Sequence, residues 1–181
     1  MDAPIDFTNK EMVTRLYALI ATVSAEGAAE SDTAAYVAFL DARPEVDQAK
    51  KLCTHGYCMG GALAFRTGAS LPHRFAAVAS FHGGGLVTDK PGSPHLLIPR
   101  LQAQVYVGIA ANDDEKQPEA KGTLREAFTA ASVVAEVELI PALHGWCMRD
   151  MPLQNGAPIF SAPDAQHSFN KLVALYRAAL G

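Results

Sequence analysis

No apolar run in this chain approaches the roughly 20 residues that would span a bilayer, and no membrane association is expected. Cysteine is scarce: Cys53, Cys58 and Cys147 cannot all pair, and none shows zinc-type spacing. Neither a disulfide framework nor a metal centre is therefore expected, and free thiols suit a reducing, cytoplasmic setting. The net charge of -4 leaves no basic footprint for nucleic acid or an anionic membrane surface. Met1-Asp-Ala-Pro4 lacks the basic and apolar segments of a signal peptide, so none is expected. Internal repeats, low-complexity tracts and linkers are also missing. The 181 residues are read as one domain with a sizeable core.

What the chain does contain is an alternation of helical and strand patterns. Thr8-Asn-Lys-Glu11 has the form of a capping box, with Phe7 and Met12 placed as a hydrophobic staple. The helix it opens carries Met12, Val13, Leu16, Tyr17 and Ile20 on one stripe, and Ala25-Glu-Gly27 ends or bends it. A second helix is expected to bury Ala35, Tyr36, Phe39 and Leu40 before Arg43-Pro44 stops it. Leu52 to Thr54 reads as a short strand, followed by a helix to about Ser70. Phe75 to Phe81 is an unbroken apolar run, as in a parallel strand covered on both faces. Val87 to Pro99 reads as a long surface loop, and Val105 to Ile109 as the next strand, ending in an Ala111-Asn-Asp-Asp114 turn. A helix from about Pro118 to Ala131 groups Leu124, Ala127, Phe128 and Ala131. Ala135-Glu-Val-Glu-Leu139 alternates strictly, which suits an edge strand with one wet face. Phe169, Leu172, Val173 and Tyr176 mark a C-terminal helix. The alternation predicts an α/β fold with a doubly wound, mostly parallel sheet.

The stretch with chemistry in it is Gly56-Tyr-Cys-Met-Gly60. A G-x-nucleophile-x-G segment between a strand and a helix has the form of a nucleophile elbow, with cysteine where serine is usual. The strained turn calls for small residues two before and two after the nucleophile. It also sets the sulfur at a helix N-terminus, where the dipole favours a thiolate. Such a thiol needs a general base, and the base an orienting carboxylate. His144 and Asp113 follow in that role, with Asp114 in reserve; both lie just after predicted strand ends, as does His82. The order nucleophile, acid, histidine is that of α/β-hydrolases. Ligands of parallel sheets bind beyond those same strand ends. The Met59 N–H is the natural oxyanion donor. His82, Tyr57 and Trp146 are pocket candidates. His55 either lines the pocket or is structural, Cys53 is read as a small core residue, Cys147 as a surface or packing residue that could approach the site, and His73, His95 and His167 are expected to face solvent. No cofactor is called for.

Several segments together resemble the dienelactone hydrolase family: Gly56-Tyr-Cys-Met-Gly-Gly61, Ser80-Phe-His-Gly-Gly84, Ser93-Pro-His-Leu-Leu97, Val105-Tyr-Val-Gly108, Asn112-Asp113 and His144-Gly-Trp146, in the family's order. The likeness runs from about Leu16 to the C-terminus. It implies an α/β-hydrolase fold, a Cys58–His144–Asp113 triad, and a small ester or lactone as substrate. It also implies several strands ahead of the first helix, a loop donating a second oxyanion N–H, and a glutamate holding the resting thiol. Only 57 residues precede Cys58, leaving no room for those strands. Glu26, Glu30 and Glu45 stand in other contexts, and Arg149 is offset from the family's substrate-clamping arginine. An N-terminally shortened domain is expected, whose elbow strand forms a sheet edge and whose helices expose apolar stripes. Such an edge favours a homodimer. The alternative to an active hydrolase is a weakly active or non-catalytic relative serving in binding or assembly. A redox-sensing role for Cys58 is a third reading.

Overall fold

The computed structural model describes residues 8–151 and 153–181. Two helices, α1 (Lys10–Val23) and α2 (Ala28–Asp41), precede the first strand, β1 (Leu52–Tyr57). Then follow α3 (Met59–Ser70), β2 (Phe75–Phe81), β3 (Gln104–Ala110), α4 (Ala111–Lys116), α5 (Ala120–Ala130), β4 (Ala135–Ile140) and α6 (Ala162–Leu180). The sheet runs β1-β2-β3-β4, and every pairing is parallel. This is an α/β-hydrolase-like sheet flanked by helices on both faces.

Alternation along the strands divides the core in two. Val78, Val105, Val107 and Val137 face Phe65 of α3 and Leu124 and Phe128 of α5. Ala79, Phe81, Tyr106 and Ile140 face Trp146 and Leu172 of α6. All seven residues of β2 are buried, as its unbroken apolar run requires. β4 lies at one edge, as its alternation predicts, and β1 at the other.

Several expectations need correction. The α1 N-cap is Asn9, one residue later than the capping-box reading; its Oδ1 accepts from Met12 N at 3.1 Å. The Phe7 staple lies outside the described residues. β1 extends to Tyr57 because its hydrogen bonds to β2 continue to Phe81. In α2 the buried positions are Ala29, Thr33 and Val37. Tyr36 and Phe39 are instead 69% and 60% exposed, since the side against α3 admits only small groups. Thr33 Oγ1, for one, donates to Thr67 Oγ1. α1 buries no residue at all. The 87–99 segment is not wholly a surface loop: a 3-10 helix, Pro94–Arg100, drives Ile98 into the core. Asn112 to Asp114 lie in α4 rather than in a turn. Phe169 of α6 is exposed, while Leu172 is buried. His95 and His167 are half-buried and partnered, by Ser93 Oγ and by Glu138, rather than facing solvent. Among the described residues, no helix is long and apolar enough to cross a membrane.

Candidate active site

β1 ends at Tyr57 and the chain turns at once into α3. Cys58 sits at the joint with φ 51° and ψ -122°. A non-glycine residue held there costs roughly 1–3 kcal/mol, so the surroundings must enforce it. Gly56 permits the turn, since a Cβ there would lie 1.9 Å from Gly60 O. The matching expectation for the residue two after Cys58 is not met: a Cβ on Gly60 would have nothing within 4 Å. The tight position is Gly61, where a Cβ would meet Ser80 Oγ at 2.2 Å. Smallness is therefore needed where α3 crosses β2, not where the turn opens to solvent.

Three parallel crossings bring the other groups to this corner. Asp113 comes from the first turn of α4, directly after β3, and His144 from the loop after β4. His144 Nε2 is 3.1 Å from Cys58 Sγ. On the far side of the ring, Nδ1 is 2.5 Å from Asp113 Oδ2. Thiol, imidazole and carboxylate thus form one line. Asp114 does not join it: its carboxylate holds Lys121 Nζ at 2.7 Å. The structure thereby selects Asp113 of the two aspartates as the partner of His144.

The electrostatics follow from this line. The His144 hydrogen bond lowers the Cys58 thiol, helped by the ring's charge and the Met59 N–H, against burial and the charge of Asp113. His144 is raised to about 9 by its bond to Cys58 and by Asp113, against burial. Each partner therefore favours the charged form of the other: the cationic ring draws the thiol toward thiolate, and the thiol's bond holds the ring toward imidazolium. Cys53 and Cys147 are pushed the other way by burial. At pH 6 iodoacetamide is expected to label Cys58 roughly tenfold or more faster than either of them. Mass-spectrometric mapping of the three thiols measures this, and equal labelling would contradict it.

The remaining candidates divide. Met59, the first residue of α3, has its N–H beside the sulfur. His82 is buried directly behind Cys58, whose backbone N–H donates to its Nδ1 at 3.1 Å. Trp146 is fully buried, donates from Nε1 to Ser168 Oγ at 2.9 Å, and meets His82 edge-on. It is a plug beneath the site, not a wall open to a ligand. Tyr57 is 36% exposed and stacks on Phe81, so it flanks the turn. His55 is tied to the Tyr176 hydroxyl at 2.8 Å, a structural bond between β1 and α6. Arg149 lies over the Phe160 ring. Among the described residues, no group of three or more His, Cys, Asp or Glu is placed to hold a metal ion.

Asn112 is a participant that sequence reasoning missed. Its Oδ1 accepts from the His144 backbone N–H at 2.8 Å, so one turn of α4 holds both the ring and the main chain of His144. The two residues are 32 apart, and no local pattern announces such a contact. Two cavities flank the corner. One of about 310 Å³ is bordered by Met59, Ala62, Leu63, Arg66 and Thr88. The other, of about 180 Å³, is bordered by Gly84, Leu86, Asp113, Lys116 and Gln117.

Comparison with solved structures bears on this arrangement. A dienelactone hydrolase-like promiscuous phosphotriesterase from metagenomic libraries is similar at TM-score 0.71 and 22% identity, over 97% of this chain and 70% of that one. A dienelactone hydrolase from Anabaena variabilis is similar at TM-score 0.63 and 18% identity, over 96% of this chain and 69% of that one. At these identities the likeness speaks to the fold alone. Comparison with curated proteins finds no match. The model of the dienelactone hydrolase family matches residues 4–168. With that match spanning most of the sequence, and the sheet, elbow and strand-end loops in the places described, the chain belongs to the dienelactone hydrolase family.

Proposed function

We propose that the protein hydrolyses small carboxylic esters or lactones with Cys58 as nucleophile, His144 as general acid and base, and Asp113 as the group that orients His144. The observation that carries this reading is the unbroken line from Sγ through the imidazole to the carboxylate, 3.1 Å and 2.5 Å long. In the first half-reaction the Cys58 thiolate attacks the carbonyl carbon and an S–C bond forms. The developing oxyanion is met by the Met59 N–H, at the positive end of α3. As the intermediate collapses, His144 passes its Nε2 proton to the departing alkoxide and the C–O bond breaks. Neutral His144 then takes a proton from water, whose oxygen attacks the thioester. The acid leaves, and the thiolate–imidazolium pair is restored. Asp113 keeps Nδ1 protonated throughout and steadies the cationic ring.

The nearby cavities, one of about 310 Å³ bordered by Met59 and one of about 180 Å³ bordered by Asp113, favour a small substrate. Turnover of p-nitrophenyl acetate and of dienelactone by the unaltered chain tests the activity.

The reading includes self-association. Among the described residues β1 pairs on one side only, while Tyr17, Tyr36 and Phe39 of the two preceding helices are 60% exposed or more. An edge strand beside unpartnered aromatics favours a second copy of the chain. Light scattering coupled to sizing is expected to give a dimer mass or larger at micromolar concentrations. A single monomer peak across the concentration range would refute this part of the proposal.

A further inference from the structure

His82 combines features that simple core packing does not ask for. It is 1% exposed, yet it follows β2 with φ 41°, in the left-handed region that bulky residues avoid. Its backbone N–H is anchored to Gly108 O of β3 at 2.8 Å. The ring is thus fixed from below and turned toward the elbow. Nδ1 lies 3.1 Å from the Cys58 backbone nitrogen. That same N–H is shared with Phe81 O, also at 3.1 Å. An amide can only donate, so Nδ1 must present a lone pair, and a neutral ring then carries its proton on Nε2. Nε2 is buried without a hydrogen-bond partner. A phenylalanine would fill the same space with no orphaned polar atom. The group a hydrocarbon ring lacks, and which the neighbourhood uses, is the Nδ1 acceptor.

We infer that His82 is a positioning residue of the hydrolytic site: its neutral ring, protonated on Nε2, clasps the Cys58 backbone N–H and holds the strained turn that aims Sγ at His144. This rests on the reading of Cys58 as nucleophile. A ring protonated on Nδ1 would oppose two donors. An imidazolium, protonated on both nitrogens, would also set a second cation beside His144, whose ring centroid is 5.1 Å away. Burial and the charge of His144 both act against that form and lower His82 to about 4. The clasp therefore persists above about pH 4, across the neutral range in which His144 is cationic.

Three measurements on the full chain decide it. Long-range proton–nitrogen NMR of the unaltered protein at pH 7 should show His82 with Nδ1 unprotonated and Nε2 protonated; the reverse tautomer, or an imidazolium, overturns the inference. His82→Phe, which keeps the shape and removes the acceptor, should lower kcat roughly tenfold to a hundredfold with little change in KM, since small misplacements of a reacting atom have such costs. It should also slow Cys58 alkylation at pH 6. His82→Asn tolerates positive φ and offers Oδ1 near the place of Nδ1, so it should restore most of both losses. Asn failing to recover more than Phe, in samples with matching melting curves, overturns the clasp; should the Phe variant not fold, the tautomer still decides. Cys58→Ala separates the two levels. If that variant turns over ester as fast as the unaltered chain, the hydrolytic reading falls, and His82 as a residue of that site with it. If Cys58→Ala is inactive while His82→Phe keeps full kcat and alkylation rate, only the clasp falls.

Discussion

Cys58→Ala is expected to lower turnover of p-nitrophenyl acetate by roughly 10⁴-fold or more, to near the uncatalysed rate. The size of the effect follows from what remains. Without the sulfur, His144 and Asp113 still form their pair, but nothing in the corner can take up the acyl group. Direct attack by water would lose the thiolate's nucleophilicity and its fixed position, a mere 3.1 Å from the proton donor. The fold should survive, because Cys58 is exposed and its side chain packs little. The melting curve serves as the control, and equal rates for the two proteins would remove the catalytic assignment and leave a binding or assembly role.

Asp113→Asn is expected to cut kcat by roughly 10²- to 10⁴-fold with a much smaller change in KM. Two effects of the carboxylate oppose each other. Its charge works directly against the Cys58 thiolate, so losing it alone would favour that anion. The same carboxylate raises His144 by hydrogen bond and charge, and the His144 bond is the largest influence lowering the thiol. Removing Asp113 lets the imidazolium deprotonate at lower pH and frees the ring to rotate or change tautomer. The indirect loss wins because the His144 bond is the leading influence on the thiol. The upper limb of the kcat–pH profile should accordingly move to lower pH. Asp114→Asn makes the paired control. Its carboxylate engages Lys121 and not His144, so the rate should stay within about threefold. Equal losses in the two variants would defeat the assignment of Asp113.

Much of this was legible before any coordinates. The unbroken apolar run 75–81 could be satisfied only by a strand covered on both faces, and all seven of its residues are buried. The alternation at 135–139 demanded one wet face, and β4 is an edge. The elbow could be read because its constraint is local: a strand, a kink and a helix within a few residues, with a glycine at 56 that any Cβ would obstruct. Illegible were contacts whose partners are distant along the chain. The apolar stripe of α2 did not announce that its small-residue side would pack on α3, leaving Tyr36 and Phe39 outside. Nor could the pattern 87–99, rich in proline, show that Ile98 would be buried.

The amino-acid sequence alone determined the strand–helix alternation, the parallel sheet and the identity of the sulfur at its kink, because these depend on periodicity and on neighbours a few residues away. Tertiary structure alone decided which aspartate meets His144, that Asn112 holds the His144 main chain, that Gly61 rather than Gly60 is the crowded glycine, and that His82 lies under the turn. Each of those is a distance between crossings of the sheet, set by strand register and loop path, and sequence spacing carries no record of it.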